Sequence, residues 1–112
     1  MAEILDKAAL TEGVFYILLS LHEPMHGYGI MQKTAALSGG RVSLAAGTLY
    51  GALNTLLDRG WIRALPIRAL PGEKNSRKIE YEITQAGRAA AKAELVRLEE
   101  LAENGRRILE GE

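Results

Sequence analysis

The sequence GTLYGALNTLLDRGWI, at residues 47–62, contains an amphipathic helix and the turn that ends it. Leu49, Leu53 and Leu56 recur at helical spacing and predict one buried face, whereas small and polar residues occupy much of the remaining surface. Gly60 predicts the end of the helix, since glycine readily adopts the left-handed conformation found there. The β-favouring residues that follow predict a strand. The fold is therefore expected to be built around a helix, a tight turn and a strand.

Two shorter helices are predicted before this stretch. The first covers residues 10–21, with Thr11 as its expected N-cap, and it is apolar on most of its surface. The second covers residues 27–38 and ends at a pair of glycines, whose freedom at positive φ suits a helix C-terminus. Ser43 is the expected N-cap of the third helix. Three helices are therefore predicted in the first half of the chain.

The segment after the third helix predicts a two-stranded hairpin. Residues 61–70 favour a strand, residues 71–76 have the composition of a turn, and residues 79–83 alternate apolar with charged side chains. Pro66 cannot donate a backbone hydrogen bond, so its strand is expected at a sheet edge or bulged there. The basic residues concentrated on this hairpin are Arg63, Arg68, Lys74, Arg77 and Lys78.

The C-terminal part predicts one long helix, which has Thr84 as its N-cap and extends to about residue 109. Apolar and small residues recur along it at alternating spacings of four and three, a pattern typical of helices that pack against a partner helix. This stripe is too long for the core of so small a domain, so we expect a homodimer. The predicted interface residues are Phe15, Leu19, Leu95, Leu98, Ala102, Gly105 and Leu109.

The composition of the 112-residue chain fits one folded unit inside the cell. No apolar stretch is long enough to cross a bilayer, the first residues do not resemble a secretion signal, and the sequence has no cysteine. We therefore expect a cytoplasmic protein without a membrane partner. The formal net charge is zero, yet residues 26–82 contain eight Lys or Arg against four Asp or Glu. A basic middle between acidic ends is typical of one DNA-facing surface and a separate pairing surface.

Residues 22–26, HEPMH, match the zinc-binding pattern HExxH letter for letter. That pattern requires an unbroken helix, because both histidines must face the metal and the glutamate must lie beside the bound water. Pro24 would interrupt such a helix, and the sequence offers no third histidine as a further ligand. We therefore expect a helix end with polar loop residues at this point, and no metal, cofactor or catalytic site.

Three helices followed by a basic hairpin is the order of a winged helix-turn-helix, a DNA-binding fold. Local segments are more specific, namely HGYGI at residues 26–30, GTLY at 47–50, GWI at 60–62 and RK at 77–78, followed by Tyr81, Ile83, Thr84 and Gly87. Over about three quarters of the chain these segments resemble the PadR family of repressors. The single helix after them resembles the compact subfamily, whose members have one C-terminal dimerisation helix. The resemblance implies a homodimeric repressor that leaves its operator when a small effector binds or when the cell is stressed.

We therefore predict an α+β, mostly helical fold, with a winged helix-turn-helix at residues 1–84 and a long dimerisation helix at residues 85–112 in one compact unit. A two-fold dimer of this kind would bind a palindromic operator in double-stranded DNA. The alternative function is a winged-helix adaptor that binds proteins and does not use DNA. The predicted DNA-binding residues are Lys33, Ser43, Gly47, Thr48, Tyr50, Gly51, Asn54, Arg63, Arg68, Lys74, Arg77 and Lys78.

Two assignments have alternatives in the sequence. Tyr50 either contacts DNA or packs beneath the wing, the hairpin that follows the third helix. The family resemblance implies that some members bind planar aromatic compounds between the first and last helices, where a tryptophan stacks on the ligand, but Leu98 occupies the aligned position here. The residues that could line a site for a small apolar or aromatic effector are Phe15, Tyr16, Leu19 and Leu98. Each is also explained as part of the dimer core.

Overall fold

The computed structural model describes residues 9–66 and 79–111. Its elements, in chain order, are α1 (Glu12–Ser20), β1 (Met25–His26), α2 (Gly27–Leu37), α3 (Ala46–Asp58), β2 (Ile62–Pro66), β3 (Ile79–Ile83) and α4 (Gln85–Arg106), followed by a π-helical turn (Arg107–Gly111). The predicted winged helix with a long C-terminal helix is confirmed. In these two ranges no helix has the length and apolar character needed to span a membrane.

Side chains cap the first two helices. The Thr11 hydroxyl accepts a hydrogen bond from the Val14 N–H at the start of α1, as predicted. At the start of α2 the acceptor is Nδ1 of His26, which lies 3.2 Å from the Gly29 nitrogen. The glycine pair at residues 39–40 follows α2 with positive φ at both positions, also as predicted. Local sequence therefore sets where these two helices begin and where α2 ends.

Helix α3 begins later than predicted. Its N-cap position is Ala45, which makes no side-chain capping bond, so the prediction of Ser43 as N-cap is wrong. Because the chain stays non-helical through Ala45, Leu44 can pack against the core. Burial of an apolar side chain offsets the loss of a side-chain cap, which contributes about 1 kcal/mol. The other end of α3 is as predicted, since Gly60 follows it with positive φ.

The sheet has three antiparallel strands in the order β1-β3-β2. The predicted hairpin strands are present, and Pro66 lies on the edge strand β2, opposite Ile79. The third strand was not predicted: Met25 pairs with Tyr81, so the expectation of a loop through residue 26 is wrong. A two-residue strand is too short to show an alternating pattern. Strand β1 also ties the start of α2 to the wing.

Buried apolar residues from α1, α2, α3 and the sheet form one core. Its centre consists of Ile17, Leu18, Leu21, Ile30, Leu49, Leu53, Leu56, Ile62 and Tyr81. The three leucines predicted for the buried face of α3 all belong to it. Helices α1 and α3 therefore pack as one body, and the opposite side of α3 faces outward.

Thr84 caps α4 as predicted, because its hydroxyl accepts from the Gly87 N–H and donates to the Gly60 carbonyl. Gly87 lies against the chain that leads into β2. A Cβ atom there would lie 2.8 Å from Cγ1 of Ile83 and closer still to the Trp61 carbonyl oxygen. The α-helix ends at Arg106 rather than near residue 109, and the π-helical turn continues it. Helix α4 therefore starts tightly packed and extends away from the core.

Candidate nucleic-acid interface

Helix α3 has one buried and one open side. The open side carries Gly47, Thr48, Gly51 and Asn54, all exposed, as the sequence predicted for its surface. A Cβ atom built at either glycine would have no atom within 4 Å. Because the two glycines are one helical turn apart, they leave a strip of backbone that a flat or grooved partner can approach closely. Thr48 and Asn54 place hydrogen-bonding groups beside that strip.

Tyr50 combines packing with exposure. A Cβ atom at Gly27 would lie 2.8 Å from Cζ of Tyr50, so the phenol ring occupies the space beside the first residue of α2. Burial is the larger of two causes that raise the pKa of the Tyr81 phenol in β3, and the neighbouring Tyr50 phenol is the other. Tyr50 therefore lies where α2, α3 and the sheet meet. It is still 46% exposed, which leaves part of the ring available to a partner.

Helix α2 carries two polar residues that are at least partly exposed. Lys33 is half-buried, and Tyr28, in the first turn, is 63% exposed. Tyr28 was not among the residues predicted to contact DNA. A usable signal was present, because Tyr28 lies off the helical line of buried residues formed by Gly27, Ile30 and Thr34. Ser43, in the connection between α2 and α3, is exposed as well.

Arg63 is the one predicted DNA-binding residue of the wing that lies within the described part of the chain. It is exposed on β2, opposite Glu82 of β3, and its Nε donates a hydrogen bond to the Glu82 carboxylate. Its charge is therefore partly balanced by a neighbour, a contact that the sequence did not predict. The other four wing positions, Arg68, Lys74, Arg77 and Lys78, lie outside the described residues.

The residues predicted to line an effector site are divided between two pockets. Phe15, Tyr16 and Leu98 line a pocket of about 360 Å³ between α1 and α4, called here the α1–α4 pocket. Leu19 is not among the residues that line this pocket. Leu19 belongs instead to a pocket of about 230 Å³ nearer the end of α1, together with His22. Leu19 lies about one helical turn beyond Phe15 and Tyr16, nearer the end of α1.

Two ion pairs also line the α1–α4 pocket. Neither ion pair was predicted from the sequence. Glu12 and Arg41 approach to 3.0 Å between exposed side chains. Glu94 and Arg97 form the second pair, in which Glu94 is buried. The hydrogen bonds from Arg97 hold the pKa of the Glu94 carboxyl below its usual value, although burial alone would raise it. The available signal was a carboxylate on the otherwise apolar line of α4.

Apolar side chains remain uncovered along α4 beyond the core. We call them the α4 stripe, which consists of Leu95, Leu98, Leu101, Ala102, Gly105, Ile108 and Leu109. All are exposed except Gly105, which is half-buried. The stripe contains the five predicted interface residues of this helix, and it adds Leu101 and Ile108. It continues the side of α4 that packs on its own core through Gly87 and Glu94.

The two histidines of HEPMH do not share a helix. Helix α1 ends at Ser20, and His22 lies in the turn behind it, where its Nδ1 is 2.8 Å from the Leu19 carbonyl oxygen. His26 lies in β1 and caps α2. Within residues 9–66 and 79–111, no group of three or more His, Asp or Glu side chains could hold a metal ion.

A core-packed helix with an open polar face, followed by a two-stranded wing, defines the class of winged-helix DNA-binding proteins. Within that class, the sequence profile of the "Transcriptional regulator PadR-like family" matches residues 14–93. The chain belongs to the PadR-like family and is a DNA-binding transcriptional regulator. No sequence among the curated proteins matches the chain.

Solved structures with the same fold include several regulators. A PadR family transcriptional regulator from Eggerthella lenta is 20% identical with a TM-score of 0.72, over 100% of this chain and 91% of that chain. A PadR-like transcription factor from Bacteroides fragilis is 21% identical with a TM-score of 0.69, over 96% and 95% of the two chains. BpsR of Bordetella bronchiseptica, whose DNA binding is regulated by 6-hydroxynicotinic acid, is 19% identical with a TM-score of 0.62, over 87% and 65%.

Proposed function

We propose that this regulator is a homodimeric, cytoplasmic repressor that binds a palindromic operator through α3 and leaves it when a small effector binds between α1 and α4. The observation that carries the proposal is the open side of α3. Two glycines one turn apart leave its backbone uncovered, and Thr48 and Asn54 flank them. Polar side chains on a helix that can enter the major groove are suited to hydrogen-bond base edges.

Base contacts and phosphate contacts come from different elements in this proposal. Asn54 suits adenine and Thr48 suits several bases, so both contribute to sequence preference. Tyr28 and Ser43 are exposed residues with hydroxyl groups that can donate to phosphate oxygens. Tyr50 is also partly exposed, although its hydroxyl packs beside Gly27. Lys33 and the basic wing residues supply attraction that does not depend on sequence. Arg63 contributes less than the others, because Glu82 already accepts from it.

Dimerisation through the α4 stripe follows from the length of the helix. The 22 residues of α4 span about 33 Å at 1.5 Å per residue, whereas Glu94 is its last buried residue. An apolar stripe that continues past its own core calls for a second copy, because monomers rarely expose large contiguous apolar patches. A two-fold pair of such stripes places two α3 helices side by side, as a palindromic operator requires.

The α1–α4 pocket is the proposed effector site. Phe15 and Tyr16 supply aromatic walls and Leu98 an apolar one, which favours a small apolar or aromatic compound. Regulation of BpsR by 6-hydroxynicotinic acid gives a precedent for an aromatic effector on this fold. Because Leu98 has no π-face, stacking on an aromatic side chain of the last helix is not available, and Phe15, Tyr16 and the two ion pairs that line the pocket must provide selectivity.

Binding to DNA from the promoter region of the protein's own gene, compared with a scrambled duplex at several salt concentrations, tests the proposal. Asn54→Ala is expected to lower operator affinity by about 5- to 100-fold, which is the usual effect of losing one base contact. Its affinity for scrambled DNA should remain nearly unchanged. Asn104→Ala, the same change at an exposed position of α4, is the control. An Asn54→Ala protein with wild-type operator affinity would exclude this residue from base recognition. A wild-type protein that binds neither duplex would favour the adaptor function.

A further inference from the structure

Glu94 is the one buried charged residue in the part of the chain that the structure describes. An ionised carboxylate is costly to bury unless several donors surround it. Its Oε1 atom accepts from the Leu10 N–H at 3.2 Å and from Nε of Arg97 at 2.9 Å, and Oε2 accepts from Nη2 of Arg97. The bond from the Leu10 N–H joins α4 to the chain immediately before α1, and the two bonds from Arg97 lie within α4 and hold the carboxylate in place. The three bonds are here called the Glu94 bridge.

The position of the Glu94 bridge along α4 is informative. Before it, Gly87 packs tightly and Ala91 is half-buried against the core. After it, every described residue of α4 is exposed or only half-buried. Glu94 is therefore the last buried residue of the helix, and the α4 stripe begins one residue later.

The other end of the Glu94 bridge leads to α3. Leu10 directly precedes Thr11, which caps α1, and α1 shares one core with the buried face of α3. A change in the angle between α1 and α4 therefore changes the angle between α3 and the α4 stripe. In a dimer held by that stripe, this angle sets the separation of the two α3 helices.

We infer that Glu94 is a positioning residue that fixes the distance between the two DNA-contacting helices of the dimer, and thereby the half-site spacing that the protein accepts. This inference rests on the proposed function. From Glu94 to Arg106 the helix extends about 18 Å, so a tilt of about 10° at Glu94 moves its end by about 3 Å. One base-pair step adds about 3.4 Å along the duplex and rotates the half-site by about 35°, so a tilt of this size, accompanied by a rotation of α3, is comparable to a change of one base pair in spacing.

The Glu94 bridge also borders the α1–α4 pocket, which Leu10, Glu94 and Arg97 all line. A compound in this pocket would contact Leu10 and Arg97, which donate the hydrogen bonds, and Glu94, which accepts them. Separating Leu10 from Glu94 would release α4 from the start of α1 without disturbing the core between α1 and α3. The bridge therefore gives effector binding a direct route to the spacing of the α3 helices.

The experiment uses an operator selected from random duplexes with the wild-type protein, and derivatives with one base pair inserted or removed at its centre. Wild type should lose about 5- to 100-fold on the altered spacings, as expected when one half-site loses a base contact. Glu94→Ala should reduce this ratio towards one, while it sediments as a dimer and binds scrambled DNA as wild type does. Glu103→Ala, an exposed glutamate of the same helix, is the matched control and should keep the wild-type ratio.

Glu94→Gln keeps the side-chain volume and an acceptor for Leu10 but loses the charge that pairs with Arg97. It should shift the spacing ratio in the same direction by less, and it provides the measurement if the alanine variant does not fold. An unchanged ratio in a folded Glu94 variant would overturn the inference, as would equal losses on every spacing and on scrambled DNA. If wild type selects no operator, the proposed function fails instead, which distinguishes the two failures.

Discussion

Helices α3 and α4 are both amphipathic, but the sides that they leave uncovered have opposite chemistry. The uncovered side of α3 carries glycines, Thr48 and Asn54, whereas that of α4 carries a stripe of leucines and isoleucine. A polar helix face with uncovered backbone can be hydrated in the free protein. When DNA binds, the face can exchange this water for contacts with base edges and phosphates. A leucine stripe gains only by being removed from water. In the proposed function the two helices therefore have different partners: DNA for α3 and a second copy of the chain for α4.

Leu98→Asp is expected to have the largest effect, because it puts a charge in the middle of the α4 stripe. Burying an unpaired carboxylate costs several kcal/mol, so the dissociation constant of the dimer should rise by more than about 100-fold. Analytical ultracentrifugation over a concentration series measures this constant. Val96→Asp is the control, because Val96 is an exposed apolar residue of the same helix that lies off the stripe. Its side chain is 53% exposed, compared with 37% for Leu98. A Leu98→Asp protein that remains a stable dimer, or an equal loss in both variants, would remove the pairing surface from α4.

A pair of glycine substitutions compares the packed start of α4 with the open side of α3. Gly87→Ala should lower the free energy of unfolding by about 1–3 kcal/mol, because the new methyl group meets the Trp61 carbonyl oxygen and Ile83. Gly51→Ala should have the opposite sign, as nothing lies near its Cβ position. Urea denaturation of both variants measures the difference. If Gly87→Ala is as stable as wild type, α4 does not start in tight contact with the chain entering β2.

Features set by neighbouring residues could be predicted from the sequence. The caps at Thr11 and Thr84, the glycine ends of α2 and α3, and the buried leucines of α3 depend on spacings of a few residues. Ser43 shows the limit of local prediction. It is a good N-cap residue, but α3 begins later in the chain, after Leu44, which packs against the core. Periodicity and turn composition predicted the order of the main elements, and the family-specific segments then indicated the PadR family.

Features made by distant residues could not be predicted. Strand β1 exists because Met25 meets Tyr81, and Glu94 is buried because the Leu10 N–H reaches it. Neither pairing leaves a periodic pattern. The separation of Leu19 from Phe15 and Tyr16 likewise depends on how α4 crosses α1, which a single sequence does not specify. The residues on the open side of α3 were identified in advance because exposure on one helix follows from its own periodicity.

The central claim is that the uncovered backbone of α3 lies against DNA, and Gly51→Ala tests it most directly. Alanine in place of glycine within an exposed helix should raise the free energy of unfolding by about 0.5–1 kcal/mol. The same methyl group should weaken operator binding, because it occupies the space through which the backbone approaches the groove. Both quantities are measured on one preparation, by urea denaturation and by titration of a labelled operator. Higher stability with lower operator affinity is the predicted result, and higher stability with unchanged affinity would contradict the account.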